Sequence, residues 1–124
     1  MKYLDIQNEV IKKYKITINE HSQCRGRMHA HVKQKTICKW KPANSMRCTF
    51  DLFHEIGHCE TFHSRMRRAE SEYYATMWAI ERCKEYKLEI PKQIIDIYQR
   101  YIDMEIRRGE RRGGTNYGAL KLEV

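Results

Sequence analysis

The chain has 124 residues, of which 41% are hydrophobic and 32% are charged, and these proportions are typical of one globular domain with a single core. No apolar run approaches the roughly 20 residues of a membrane helix, and residues 1–5 do not begin a signal peptide, so we expect a cytoplasmic protein without membrane contacts. The net charge of +8 is compatible with nucleic acid or acidic proteins as partners. The five cysteines are never spaced as Cys-x-x-Cys, which argues against a disulfide scaffold and against a zinc ribbon.

The first forty residues contain one helical pattern and three strand patterns. Apolar residues recur at helical spacing over residues 3–14 and predict an opening amphipathic helix. Residues 16–18 and 36–40 are rich in strand-forming residues and predict two short strands. Between them, residues 24–32 are predicted to form a further strand, on which His29 and His31 share one face. These two histidines are interpreted either as exposed residues of an edge strand or as contacts to a ligand.

Three further helices are predicted in the rest of the chain. The first should run from about Ser45 to Phe62, with Asn44 or Ser45 as its N-cap residue. The second pattern covers about residues 69–88 and has a broad apolar side. The third covers about residues 91–108 and begins with Pro91 at its first helical position.

The order of these elements predicts an α+β fold. An N-terminal helix and a small antiparallel or mixed β-sheet come first, and a motif-bearing helix and two C-terminal helices follow. We expect residues 1–108 to form a single domain. Residues 109–124 are rich in glycine and arginine and are expected to form a loop or tail.

The helix predicted to begin at Ser45 contains the run His54-Glu55-Ile56-Gly57-His58. Residues four apart lie on one helical face, so both imidazoles can reach one metal ion while Glu55 leans over the same site. A catalytic zinc keeps three protein ligands and a water whose pKa it lowers towards neutrality. Glu55 would accept the proton of that water as general base and pass it to the leaving amine. The alternative is a helix that carries two histidines and no metal.

A third protein ligand should follow the motif. His63 lies five residues after His58 rather than the six of the metzincin pattern, which makes that pattern a poor match. A carboxylate at the start of the next helix could instead complete a His-His-Glu site. The candidates are His63, Glu70, Glu72 and Cys83.

Three features of the chain resemble one known family. They are the run Phe53-His54-Glu55-Ile56-Gly57-His58, the acidic-aromatic-alanine segment Glu70–Ala79, and the helix and short strands before the motif. The family is that of the ImmA/IrrE-type metallopeptidases of bacteriophages and other mobile elements, which are minimal gluzincins. The resemblance covers about residues 15–85. It implies that His54 and His58 bind Zn²⁺, that Glu55 is the base and that a glutamate of the next helix is the third ligand. It also implies cleavage of a cytoplasmic protein partner, often a DNA-binding repressor of the mobile element.

The chain departs from this family where the third ligand is expected. The usual Glu-Ala-Asn is replaced by Glu70-Ser71-Glu72 or by Glu72-Tyr73-Tyr74, so two carboxylates compete. Glu72 is favoured because it lies on a stripe of small residues, which would let this helix approach the motif helix; the other members are Ala75, Thr76 and Ala79. An oxyanion-stabilising side chain is expected as well. The candidates are His63, Tyr73, Tyr74 and the late arginines.

A second class of function remains open, in which the chain is a nucleic-acid-associated regulator with a structural or vestigial zinc site. Its basis is the net charge and the basic stretch over residues 107–114, which is suited to phosphates. No helix-turn-helix, zinc-finger or RNA-binding signature accompanies that stretch. The sequence indicates no oligomeric state.

Overall fold

The computed structural model describes residues 2–19, 28–38, 40–113 and 120–124. Within them the chain forms four helices and a small sheet, which confirms the expected α+β fold. None of these helices is both long enough and apolar enough to cross a bilayer. The elements are α1 (Lys2–Lys13), β1 (Thr17–Asn19), β2 (His29–His31), β3 (Thr36–Cys38), α2 (Met46–Thr61), α3 (Arg68–Glu85) and α4 (Lys92–Arg111).

The sheet is mixed and has the strand order β1-β3-β2. β1 runs parallel to β3, whereas β2 is antiparallel to β3 and places Ala30 opposite Ile37. A short 3₁₀ turn, Val32–Gln34, joins β2 to β3. Of the strand predicted over residues 24–32, the described residues 28–32 form strand only at His29–His31, and residues 24–27 lie outside the described part of the chain.

The helix boundaries follow local capping interactions. Of the two predicted N-cap residues, Ser45 is the one that caps α2, and its Oγ accepts a hydrogen bond from the backbone N–H of Cys48 at 3.1 Å. At the start of α3, the carboxylate of Glu70 accepts the backbone N–H of Arg67 at 3.1 Å. This helix ends at Glu85, three residues before the predicted end, and Lys87 then takes a left-handed backbone conformation with φ of 56°.

Helix α2 lies at the centre of the core and packs most closely against α3. A Cβ atom built on Gly57 would lie 2.5 Å from the backbone oxygen of Ala75, a distance that real Cβ atoms do not reach. The predicted small-residue stripe on α3 is fully buried at this contact, through Ala75, Thr76 and Ala79. Because both helices present small residues here, their backbones come close enough for the side chains on either side of the contact to meet.

The last residues return to α4 rather than leaving the domain. The side-chain amide of Gln99 donates to the carbonyl of Leu120 at 3.0 Å and accepts the backbone N–H of Leu122 at 2.8 Å. Leu122 also packs against the core. The expected loop or tail over residues 109–124 thus includes the end of α4, which runs to Arg111, and a C-terminal segment bound to that helix. Residues 114–119 lie outside the described part.

Candidate metal centre

The two histidines of the motif meet on the face of α2 that is turned towards α3. Their Nε2 atoms are 3.1 Å apart, and their rings are nearly perpendicular, at 83°. His54 is almost fully buried, with 5% of its surface exposed. The four-residue spacing within one helix thus brings two imidazole nitrogens to one point, as the motif predicts.

Glu72 on α3 joins this pair. One carboxylate oxygen lies 3.0 Å from Nε2 of His54, and the other lies 3.4 Å from Nε2 of His58. Two ligands 2.0–2.1 Å from a tetrahedral zinc ion are separated by roughly 3.3 Å. The three side chains therefore offer donor atoms at separations that suit one such ion, and the donor set fits zinc.

The other predicted third ligands have different partners. Glu70 accepts a hydrogen bond from Nε of Arg67 at 2.8 Å and belongs to the N-terminal cap of α3. His63 accepts the backbone N–H of Arg65 at 3.1 Å. Cys83 is fully buried in the hydrophobic core. None of the three belongs to the group formed by the motif histidines among the described residues.

Hydrogen bonds on the far side of each imidazole orient the rings. Nδ1 of His54 lies 3.0 Å from the hydroxyl oxygen of Thr76, and that hydroxyl donates its own proton to the carbonyl of Glu72 at 2.7 Å. Since the hydroxyl proton is already used, Nδ1 of His54 must be the donor in this contact. The lone pair of His54 is then on Nε2, the nitrogen that faces Glu72. Nδ1 of His58 lies 3.1 Å from Oγ of Ser71 in an analogous position.

Burial and mutual contact shift the protonation of all three groups. Burial lowers the pKa of His54 and outweighs the hydrogen bond that Nε2 would donate to Glu72 in the protonated ring, so the neutral ring keeps its lone pair on Nε2. Burial also disfavours the charged form of His58, but the hydrogen bond and charge of Glu72 prevail and raise its pKa. For Glu72, burial is outweighed by the hydrogen bonds to both histidines, which hold its pKa well below the usual range. The carboxylate is therefore an anion, as a metal ligand must be.

Glu55 borders a cavity of about 300 Å³ together with His58 and Glu72. Burial raises the pKa of its carboxyl to about 7. The edge strand β2 and the start of α3 form the other walls of this cavity, through Met28, His29, Ala30, Arg68 and Ser71. The structure thus brings Glu55 to the same space as two of the predicted metal ligands.

The predicted oxyanion donors do not line this cavity. His63 and Tyr74 border a different surface pocket, which also contains Glu70. Arg68 lines this cavity, and its Nε lies 3.3 Å from a carboxylate oxygen of Glu105. No local pattern singled out Arg68, because its position at the cavity depends on how α3 packs against α2.

Three more side chains lie at the centre, and none of them was expected from the sequence to contact the imidazoles. Ser71 and Thr76 hold the imidazoles, and the ring of Tyr98 lies 4.7 Å from that of His54. The Tyr98 hydroxyl donates to Asp51. Thr76 lies four residues after Glu72 and so shares its helical face, which is a local signal for a shared site, whereas Ser71 adjoins Glu72 and carries no such signal. Tyr98 comes from α4, and nothing near it in sequence indicates that contact.

No protein-family model, curated protein or solved structure matches this chain in the comparisons made. The likeness to ImmA/IrrE-type metallopeptidases therefore stays a prediction from the motif and its surroundings.

Proposed function

We propose that this chain is a zinc-dependent metallopeptidase that hydrolyses a peptide bond of a protein partner in the cytoplasm. The observation that carries the proposal is the convergence of His54, His58 and Glu72 on one point, with Glu55 in the adjoining cavity. A zinc ion held there would supply Lewis-acid activation of water and of the substrate carbonyl.

The chain's own residues would perform the other steps of the reaction. His54 presents Nε2 because Thr76 fixes its tautomer, and Glu72 contributes the negative charge that favours a divalent cation. Glu55 lies one residue from His54 and borders the cavity, so its carboxylate can accept a proton from water and release it to the leaving amine. The open cavity leaves room for a peptide segment beside these groups.

The nature of the partner is proposed from the family resemblance. The expected substrate is a repressor encoded by a phage or another mobile element. The enzyme would encounter such a DNA-binding repressor in the cytoplasm. The +8 net charge supports association with an acidic protein or with a repressor bound to DNA.

The test of the reaction is the substitution Glu55→Gln. We expect this variant to bind zinc as the wild type does, because Glu55 is not a ligand, and to lose cleavage of a degenerate peptide library followed by mass spectrometry. Removal of a general base costs about 10²–10⁴ in rate. Elemental analysis of both proteins provides the control for metal content. Equal cleavage by the two zinc-loaded proteins would contradict the proposed role of Glu55.

The alternative function, a nucleic-acid-associated regulator, is supported by four exposed arginines at the end of α4, namely Arg107, Arg108, Arg111 and Arg112. It requires DNA binding that falls steeply with salt and a zinc site closed by a fourth protein ligand. The group around His54 offers three donors within the described residues, which favours an open catalytic site over a closed structural one.

A further inference from the structure

A second group of metal-ligating side chains lies at the edge of the sheet. His29 and His31 alternate with Ala30 along β2, and Cys38 is the β3 residue directly opposite His29. Ala30 and its partner Ile37 pack against the core. Because side chains alternate between the two faces of a strand, His29, His31 and Cys38 project from the opposite face of the sheet.

We propose that His29, His31 and Cys38 form a second metal site, which binds Zn²⁺ independently of the centre on α2 and α3. Two imidazoles and one thiolate are ligands that zinc prefers, and the same set disfavours Mg²⁺ and Ca²⁺, which take oxygen ligands. Nothing in this proposal depends on peptidase activity.

The geometry of the strands brings the donors together. One ligand atom from each side chain lies within 4.8 Å of the other two. In a tetrahedral zinc site, nitrogen and sulfur ligands are separated by roughly 3.3–3.7 Å. The remaining difference is at most about 1.5 Å, which is within the reach of side-chain rotation, so the backbone of β2 and β3 can stay in place.

The two imidazoles of this group are arranged like those of the first centre. The His29 and His31 rings have centroids 5.0 Å apart and planes at 79°. The corresponding values for His54 and His58 are 4.6 Å and 83°. Two side chains lie on the same face of a strand when they are two residues apart in sequence, and on the same face of a helix when they are four residues apart.

One side of this group is buried and the other is exposed, so that an ion can reach it from solvent. Cys38 is fully buried, whereas His31 is exposed. An ion would therefore enter on the His31 side and bind the thiolate on its inner side. It would also link β2 to β3. Since His29 and Ala30 line the cavity beside Glu55, the ion would hold one wall of that cavity in position.

Cobalt titration of the full chain, metal-free and under reducing conditions, tests this site. Co²⁺ bound to a thiolate gives a sulfur-to-cobalt charge-transfer band in the near ultraviolet, and the centre formed by His54, His58 and Glu72 contains no sulfur. We expect this band in the wild type, its retention in His54→Ala and its loss in Cys38→Ser. Zn²⁺ should displace the cobalt and abolish the band.

Two further variants make the result decisive. His31→Ala changes an exposed side chain and spares the core, and it should raise the Kd of the ion that gives the band at least about tenfold, since it removes one of three ligands. Cys59→Ser replaces the thiol beside His58 and should leave the band unchanged. If Cys38→Ser does not fold, the Kd measured for His31→Ala decides whether the second metal site exists. Absence of the band in the wild type, or an unchanged Kd in His31→Ala, would overturn the proposal.

Discussion

Glu70 and Glu72 lie two residues apart in α3 and have different partners. Glu70 is held by Arg67 in the N-terminal cap, whereas Glu72 lies against both motif histidines. Both carboxylates occur near the positive end of the helix dipole, so their sequence positions alone do not separate their roles. Their roles differ because the Glu72 side chain points towards α2 where α3 packs against it, whereas the Glu70 side chain points towards Arg67.

The first prediction at this scale concerns the third ligand. Glu72→Gln removes the charge that favours the cation and should weaken zinc binding by at least about tenfold, a change that competition with a chelator of known affinity will measure. Glu70→Gln is the matched control, because it makes the same chemical change two residues away and should leave zinc affinity as in the wild type. The reverse pattern would assign the ligand to Glu70.

The orientation of His54 leads to the second prediction. Thr76→Val keeps the shape of the buried side chain but removes the oxygen that accepts from Nδ1, so zinc affinity should fall about 10–100-fold. Thr76→Ser restores that oxygen and should recover most of the loss. If Thr76→Val bound zinc as tightly as the wild type, the hydrogen bond would have no part in orienting His54.

At the scale of elements, the contact between α2 and α3 positions the site. The two histidines come from one helix and the carboxylate from the other, so the distance between their backbones determines whether three ligands meet. Gly57 lies between the two histidines in sequence and contacts the backbone of α3. The glycine of the motif therefore has a structural role here, which is to allow the close approach.

This role predicts the effect of Gly57→Ala. Alanine normally stabilises a helix relative to glycine by up to about 1 kcal/mol. Here the added methyl would overlap the Ala75 backbone, and we expect a net loss of about 1–3 kcal/mol in the free energy of unfolding. Urea denaturation should show a lower midpoint at an unchanged slope. A midpoint equal to or above that of the wild type would contradict the close approach.

The sequence predicted those elements whose signals are local. The spacing of His54 and His58 placed both on one face of a helix, and Asn44 or Ser45 was expected to cap that helix, as Ser45 does. The extent of β2 was not predictable in the same way, because pairing with β3 decides where an edge strand ends. The contacts of Tyr98 and Arg68 with the site likewise depend on tertiary packing and have no local signal.

For the whole molecule, we expect the proposed metal centre and the hydrophobic core to contribute to stability separately. The core includes Phe50, Leu52, Phe53 and Ile56 of α2, each fully buried. Because these apolar contacts involve no metal ligand, we expect the core to form without an ion. The chain should therefore remain folded without metal. An ion that binds only the folded state adds stability by mass action.

Thermal unfolding measures this contribution. Zinc at about a hundredfold excess over its Kd stabilises the folded state by about 2.7 kcal/mol, which should raise the Tm of the wild type by roughly 10 °C. His58→Ala should show a smaller rise, since it lacks one ligand of the centre, and its circular dichroism without metal serves as the control for folding. An equal rise in both proteins would exclude His58 as a ligand.

The claim on which the account depends is that His54, His58 and Glu72 bind one ion and leave part of its coordination open. A crystal structure of the zinc-loaded protein, with anomalous data collected at the zinc absorption edge, tests it directly. The account predicts an anomalous peak about 2.0–2.2 Å from the two Nε2 atoms and a Glu72 oxygen, with solvent completing the coordination. Absence of that peak, or a fourth protein ligand in the place of solvent, would contradict it.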